Sequence, residues 1–479
     1  MSLAIVLPHT TAPAQPRLIV GARNLAMGAT GVGSASDAVA TYYNPAGMAF
    51  SHGWEIQVPM VTLDGEFEGD IIGNIDDVLQ LFEKSSLREI QDRFDTGMPS
   101  PEDLDTVLDA FLGELPDLDS TEDGAVVRAA IGPAFRSKNW GVSVFLSGSG
   151  GADALVDLST GLSLSTIGMP GVIPAPVPVD ACGNAPTCLS YADDLVQETG
   201  VDSARAEVLV ATSIDHLIDD PRAFGILKNI VDETLSGGAP IAENSSQVNA
   251  TGIVIGQAAF TYSRLVYRDK LSVGGNMKIM SGKTINKGTR IADLSVDDDF
   301  EDYFDGGNTH TEIQPGIDLG VMYRPTPAWS FGIAGSNLNS PEFDLAGVSR
   351  VVELQPLFRG GAAWRPLRWF NVALDLDLNE IDSGVVRGLG YRYANFGAEF
   401  LIGRWFAGRV GVYRNLAPER SSPVYTGGLS FGIGRFAIDL AIGAAADRAR
   451  LDSSTLGESV PKGFAASVQF SWRPKPPAS

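Results

Sequence analysis

The chain has 479 residues, 44% of them hydrophobic and 54 of them glycine, and its formal net charge at pH 7 is −23. This length fits two or three soluble domains or one large barrel. The sequence holds no uncharged apolar run of about 18 residues, which excludes a transmembrane helix. The acidic balance argues against nucleic-acid binding, because no basic stretch could neutralise phosphates.

Residues 1–14 are predicted to be the remainder of an export signal. Residues 3–7 form a short apolar run, and the Ala-Pro-Ala of residues 12–14 resembles a signal-peptidase site. No Lys or Arg precedes the run, which is shorter than a full signal core, so a disordered proline-rich leader is the alternative. We expect the mature protein to begin near Gln15.

A glycine-rich motif follows in residues 15–53. It contains GARNLAMGATGVG at 21–33 and DAVATYYNPAGM at 37–48. Glycines let a backbone pack closely against its neighbours, and Pro45 disfavours helical geometry at Asn44. A phosphate-binding loop is excluded, because no hydrophobic strand precedes the glycines and no Lys follows them. The candidate site residues of this motif are Gly28, Gly31, Asp37, Asn44, Pro45 and Ala46.

Alternating apolar and small or polar residues predict about fourteen antiparallel strands. The pattern is clearest in residues 464–472, where every second residue is apolar and the others are Ala, Ser or Gln. Such a small, sparsely charged face suits a crowded lumen better than bulk water. The predicted strands are 54–69, 126–136, 140–150, 247–266, 271–290, 309–325, 328–338, 351–366, 368–379, 389–403, 405–415, 423–433, 435–447 and 461–472.

The connections between these strands alternate between tight turns and long, often acidic loops. Short turns on one rim and long loops on the other are typical of an outer-membrane barrel, with the turns in the periplasm and the loops outside the cell. We therefore predict an all-β transmembrane barrel over 54–472, with 473–479 as a C-terminal tail.

Two connections, at about 70–125 and 153–246, are long enough to hold structure of their own. Residues 75–115 are predicted to form two amphipathic helices, and the second insert holds a proline-rich stretch at 170–178 and helices near 191–217 and 222–235. By turn parity both inserts are extracellular. Their helices either cap the barrel mouth or present apolar faces as a docking groove for a greasy ligand.

Cys182 and Cys188 are the two cysteines of the chain, and they lie close together in a polar stretch. The five intervening residues can close a small disulfide loop, which fits an exported protein. A two-cysteine metal site is the alternative, although no His lies nearby. The acidic segment 297–305 lacks the Gly and Glu of a standard calcium loop, so no metal and no cofactor are predicted.

Alternation also points charged side chains into the predicted lumen. They either form a salt-bridged network that holds the N-terminal segment or line an aqueous path, and both argue against a strictly hydrophobic conduit. These lumen candidates are Lys278, Asp318, Arg359, Asp375, Asp377, Glu399, Arg409 and Asp439.

Enzyme chemistry is not predicted. The four histidines lie in four different segments without a partner motif, and the Ser-Gly-Ser-Gly of residues 147–150 lacks the spacing of a nucleophile elbow.

The Asn44-Pro45-Ala46 element after the glycine-rich run resembles the N-terminal segment of the FadL-type outer-membrane transporter superfamily. The blocks at 318–325, 336–338 and 375–379 resemble its conjugal-transfer TraF-like branch. The resemblance implies a fourteen-stranded barrel in the outer membrane of a Gram-negative bacterium. It also implies that residues 15–53 fold inside the lumen as a plug, called the hatch below.

Two functions are compatible with this architecture. One is passive uptake of small hydrophobic molecules such as long-chain fatty acids or hydrocarbons. The alternative is a structural scaffold or partner of an envelope secretion or conjugation machine. The expected partners are outer-membrane lipid, a hydrophobic small-molecule ligand and an envelope protein, and no nucleic acid.

Overall fold

The structure is a computed structural model that describes residues 18–51, 53–68, 87–96, 100–118, 124–164, 181–291, 308–345, 351–386, 388–403, 405–418, 421–450 and 459–473. The predicted export signal, the proline-rich stretch 170–178, the acidic segment 297–305 and residues 474–479 lie outside this range. Among the described residues, no helix combines the length and apolarity needed to cross a bilayer.

Fourteen antiparallel strands close into one barrel, which confirms the predicted fold class. The last strand pairs with the first, so the wall has no free edge. The strands are β1 Trp54–Glu68, β2 Gly124–Ser137, β3 Trp140–Leu155, β4 Gln247–Tyr267, β5 Leu271–Arg290, β6 Asn308–Thr326, β7 Trp329–Ser336, β8 Leu357–Leu367, β9 Phe370–Asp377, β10 Tyr393–Ile402, β11 Phe406–Asn415, β12 Val424–Ile433, β13 Phe436–Ala445 and β14 Gly463–Trp472.

Three predicted strands, 351–366, 389–403 and 461–472, were too long at their N-terminal ends. Val351–Glu353 pairs with Glu342–Asp344, and Gly390–Tyr391 pairs with Ile381–Asp382, both outside the wall. A third hairpin joins Arg448–Arg450 to Ser459–Pro461. The first two hairpins, called the mouth hairpins below, also bury every second residue, so their pattern continues that of the wall.

The mouth hairpins cover the lumen. Their buried side chains Phe343, Val352 and Ile381 belong to the same apolar cluster as Ile255 and Met280 of the wall. The long-loop rim of the barrel is therefore closed over by the mouth hairpins, and one strand of each had been predicted as part of a wall strand.

The two faces of the wall differ as the alternation predicts. Outward side chains are large and apolar, and Met277, Ile313 and Ile442 are more than 70% exposed. Aromatic pairs gather near the short-turn rim, as in the interfacial girdles of membrane barrels. They include Trp54–Trp472, Trp329–Trp364, Phe370–Phe400 and Phe406–Phe431.

The N-terminal segment lies inside this barrel. It forms α1 Ala22–Ala26, α2 Ala40–Tyr43 and the 3-10 helix Pro45–Phe50. Asn44 has extended backbone, and its side chain caps the 3-10 helix by accepting a hydrogen bond from the amide of Ala46 (3.1 Å). Pro45 stands at the first helical position, where its missing N–H costs nothing.

The inserts fold together on the long-loop side. The helices are α3 Leu87–Asp95, α4 Pro101–Asp109, α5 Leu115–Leu118, α6 Pro186–Thr199, α7 Ser203–Thr212, α8 Ile214–Asp219 and α9 Ala223–Ser236, with a π-helical turn Ala110–Glu114 before α5 and a 3-10 turn Ile241–Glu243. Residues 153–155 still belong to β3, so the second insert begins later than predicted.

The apolar faces of the insert helices pack against one another rather than forming a groove. Leu104, Val107 and Phe111 are buried together with Leu209 and Leu227 of the second insert in one cluster. This finding argues against the docking groove, one of the two alternatives for the inserts, as far as the described residues extend. Amphipathic helices need an apolar partner, and here each insert supplies it to the other.

Candidate functional site in the lumen

The hatch approaches the wall backbone to backbone at glycines. Gly28 has φ +64°, and a Cβ placed on it would lie 2.3 Å from the carbonyl oxygen of Phe396. Gly397 and Gly411 of the wall face Met27 and Gly28 in the same way. Side chains at these positions would push the hatch away from β10 and β11.

One lumen carboxylate holds the glycine-rich turn. Asp375 of β9 is fully buried and accepts hydrogen bonds from the amides of Gly31 (2.6 Å) and Val32 (2.8 Å). The amide of Gly28 donates to the Thr426 hydroxyl of β12 (3.1 Å). The two bonds to the Asp375 carboxylate are charge-assisted, and such bonds are about twice as strong as neutral ones.

Asn44 joins the hatch to β6 of the wall. Its Nδ2 donates to the carbonyls of Val32 in the hatch (3.0 Å) and Val321 in β6 (3.2 Å). The next residues are held as well, since the Ser272 hydroxyl donates to the Ala46 carbonyl (2.8 Å). The structure therefore places the Asn-Pro-Ala element at a contact between hatch and wall.

A chain of ion pairs crosses from the hatch into β10, β11 and β13. Arg23 donates both Nε and Nη2 to Glu399 at 3.0 Å and lies 3.5 Å from Asp37. Arg409 bonds Glu399 and Asp439, each at 2.8 Å. Three of the predicted lumen charges and Asp37 therefore meet in one network. Its central hatch cation, Arg23, was not predicted.

A second polar group supports the hatch from β5 and β6. Lys278 lies 2.7 Å from Asp318 and donates to Asn337 at 2.7 Å. Asn276 donates to both Asp318 (2.9 Å) and the carbonyl of Thr41 in the hatch (2.7 Å). The predicted pair Lys278 and Asp318 thus reaches the hatch through an amide that sequence reasoning missed.

Arg359 and Asp377 bond each other within the wall rather than to the hatch. Asp377 also accepts from the amide of Tyr393 (2.8 Å), next to a mouth hairpin. The eight predicted lumen charges therefore divide between hatch anchoring and bracing of the mouth.

A third network near the mouth was not predicted at all. Arg128, 1% exposed, bonds Asp64 (2.6 Å) and Glu66 (3.1 Å), and the Tyr393 hydroxyl donates to Glu66 (2.6 Å). The signal was present, because Asp64 and Glu66 alternate with Leu63 and Phe67. Charges this deeply buried are stable only when paired.

A cavity of about 90 Å³ lies between the hatch and β2 to β8. Leu18 and Tyr42 of the hatch and Phe145, Ile255 and Met280 of the wall supply apolar lining. Its polar side holds Lys278, Asp318, Asn337 and Arg359. The cavity thus presents apolar surface and polar groups to the same space.

Two further features lie outside the lumen. Cys182 and Cys188 form a disulfide with Cα atoms 5.6 Å apart, and both side chains are buried in the insert core rather than in an open polar loop. On the long-loop side, His310, Glu312 and Asp344 lie close enough together to share a metal ion, but they are exposed or half-buried. No spacing motif in the sequence predicts this trio.

A family model described as F plasmid transfer operon, TraF, protein matches residues 41–377. Among solved structures, the chain is similar to the toluene transporter TbuX of Ralstonia pickettii, with 13% identity, 95% of this chain and 98% of that chain covered, and a TM-score of 0.44. A FadL homologue of Pseudomonas aeruginosa is 9% identical, with 96% of this chain and 99% of that chain covered and a TM-score of 0.46. The toluene transporter TodX of Pseudomonas putida is 12% identical, with 95% of this chain and 98% of that chain covered and a TM-score of 0.43. No curated protein sequence matches the chain.

Proposed function

The chain belongs to the family described as F plasmid transfer operon, TraF, protein, and we propose that it is an outer-membrane barrel that admits small hydrophobic molecules passively. The proposal rests on the cavity between hatch and wall, which offers both an apolar lining and polar groups inside a closed barrel. An amphiphile or a small hydrocarbon fits that mixture better than an ion or a sugar, which would leave the apolar side unused.

The size of the cavity sets a condition on transport. At about 90 Å³ it is smaller than the roughly 150 Å³ that holds one benzene in an apolar protein cavity. A longer ligand therefore enters only if the hatch moves. Polar contacts at Asp375, Asn44 and Arg23 hold the hatch together with apolar packing, and both can break while the strand ladder persists.

The route runs past the hatch rather than through the wall. β1 carries a register shift between Gln57 and Met60 against both neighbours, but Val58 there is 47% exposed and points outward. The ladder resumes on either side of it, so the shift gives no inward gap in the wall.

Burial of the ligand supplies the driving force for capture. Ten methylenes are worth roughly 8 kcal/mol at about 0.8 kcal/mol each. Part of that free energy is spent on displacing the hatch, and no external energy source is required.

Uptake into intact cells tests the proposal. Labelled decanoate and labelled toluene are offered to a transporter-deficient Gram-negative strain that expresses the wild type, Asn44→Ala or a chain lacking residues 18–50. We expect altered uptake in both variants relative to the wild type, with equal amounts of heat-modifiable barrel in the membrane. Uptake equal to that of the empty strain in all three would contradict the proposal.

The family description favours a second candidate, a scaffold for an envelope machine. The buried Arg128 network and the covered mouth suit a sealed barrel. Under this reading the three strains take up both probes at the background rate, while in-cell cross-linking of the wild type yields a specific envelope-protein adduct that the empty strain lacks.

A further inference from the structure

Basic residues collect at the short-turn rim of a strongly acidic chain. Among the described residues of the short turns themselves, Asp269 is the one acid. The basic side chains in these turns or beside them are Lys138, Arg268, Lys270, Arg324, Arg365, Arg368, Arg435 and Arg473. This rim is periplasmic by the rule that short turns face the periplasm.

Four of these cations surround one pocket. A space of about 490 Å³ opens under the hatch, and its charged lining consists of Arg268, Lys270, Arg324 and Arg365 together with one acid, Asp269. Strand pairing brings them together, since the amide of Arg324 donates to the Lys270 carbonyl (2.7 Å) and the amide of Arg365 to the Ala328 carbonyl (2.7 Å). The positions of these cations are thus set by the barrel itself.

The cations of this pocket outnumber its acid. Within the described part of the chain, none of the four forms an ion pair with a carboxylate, Asp269 included. Arg324 stacks on Phe50 of the hatch, with 4.3 Å from its guanidinium carbon to the ring centre, and its Nε is buried without a hydrogen-bond acceptor. A buried guanidinium N–H without an acceptor costs free energy, and like charges around one space repel.

We propose that this pocket binds a single oxyanion group, a phosphate or a carboxylate, that enters from the periplasmic side. Arg324 and Arg365 are the principal ligands, because guanidinium groups match the planar or tetrahedral oxygens of such groups in bidentate geometry. Lys270 and Arg268 add charge at the opening. Phe50 orients Arg324, so the hatch forms part of the site.

The oxyanion has two possible sources, which share this chemistry. Trp329 lines the pocket and belongs to the aromatic girdle, which places the opening at the depth of phospholipid headgroups. An anionic lipid headgroup could therefore reach it from the inner leaflet. A free phosphate could reach it from solution.

Binding to the purified full chain in neutral detergent tests the site. The probes are inorganic phosphate, followed by calorimetry, and phosphatidylglycerol against phosphatidylcholine, followed by native mass spectrometry. We expect one equivalent of phosphate or of phosphatidylglycerol to bind. Binding of free phosphate identifies a soluble source, and binding of phosphatidylglycerol alone identifies the lipid.

The variant Arg324→Gln with Arg365→Gln should weaken that binding by about tenfold or more, as expected for lost charged hydrogen bonds. The matched control is Arg435→Gln with Arg473→Gln, which removes the same charge from the same rim outside the pocket and should change binding by less than about threefold. Absence of stoichiometric binding of both probes would overturn the site. Equal weakening by both double variants would also overturn the site, because it would show that the anion responds to the overall positive charge of the rim and not to this pocket.

Folding of each variant is checked by heat-modifiable migration in gels. If the Arg324 and Arg365 variant does not fold, Lys270→Gln replaces it, because this exposed turn residue supports no wall contact through its side chain in the described structure. A several-fold weakening by Lys270→Gln supports the site, and unchanged binding contradicts it.

Discussion

Arg23→Met should loosen the hatch while leaving the barrel intact. The substitution keeps most of the aliphatic side chain and removes the two 3.0 Å bonds to Glu399 and the weaker contact with Asp37. Glu399 is 2% exposed but keeps its 2.8 Å bond to Arg409. Removing Arg23 is therefore less damaging than removing Glu399, which would leave both Arg23 and Arg409 without that partner.

The magnitude follows from the lost contacts. A hydrogen bond to a charged group contributes about 1.5–3 kcal/mol, and the surviving Arg409 prevents the full cost of an orphaned buried charge. A loss of about 2–3 kcal/mol from hatch docking corresponds to roughly 30- to 150-fold more frequent opening, at tenfold for each 1.4 kcal/mol. Strand amides should be unaffected, since the closed ladder does not depend on the hatch.

Amide hydrogen exchange measures this opening. The amides of Gly31 and Val32, which donate to Asp375, report hatch release, and the amides of β11 report the wall. The matched control is Arg435→Met, which removes an exposed arginine at the short-turn rim. Unchanged exchange at Gly31 and Val32 in Arg23→Met would show that the Arg23–Glu399 pair does not hold the hatch in place. Equal acceleration in β11 would refute the independence of hatch and wall.

The remaining predictions concern backbone contact, the insert and the exported form. Gly28→Ala should free the hatch for tryptic cleavage after Arg23. The control Gly434→Ala has a similar positive φ but open space around it, so it should lower the free energy of unfolding by only about 1 kcal/mol. Equal effects of the two substitutions would contradict close contact between Gly28 and the wall. Burial raises the pKa of Asp103, but bonds from Arg93 and Ser100 outweigh it and hold the pKa below its usual range. Its contribution is thus full at neutral pH and is lost as pH falls through the lowered pKa. Asp103→Asn should therefore speed proteolysis after Arg93 at pH 7 and make its rate less dependent on pH in the acid range. A rate of proteolysis that varies with pH as in the wild type would contradict this. Intact mass should show a start near Gln15 and a bonded Cys182–Cys188 pair, and two freely alkylated thiols without reductant would count against it.

The barrel could be predicted because each strand presents one face to the outside and one to the lumen. Apolar residues therefore recur at every second position, and this pattern is visible in the sequence. The same rule misplaced the ends of three strands. Val352 and Tyr391 continue the alternation, but their side chains are buried in the mouth hairpins and not in the wall. Periodicity identifies a half-buried strand and does not identify which surface buries it.

The site was predictable where side chains lie on strands and less so elsewhere. Glu399, Arg409 and Asp375 follow from alternation, whereas Arg23 lies in a short helix within an irregular segment, where no period shows which side chain meets the wall. Arg128 and Asp64 carried the strand signal and were overlooked. The packing of one insert against the other could not be predicted, because an amphipathic pattern shows a need for a partner and not its identity.

If the barrel admits hydrophobic molecules as proposed, such a ligand occupies the space between hatch and wall. A crystal of the full chain soaked with 10-bromodecanoic acid tests it directly, because the anomalous signal of bromine locates the end of the acyl chain. We expect a bromine peak beside Phe145 and Met280, with the hatch displaced from its position in this structure. Bromine peaks confined to the lipid-facing surface, with the lumen unchanged, would contradict it.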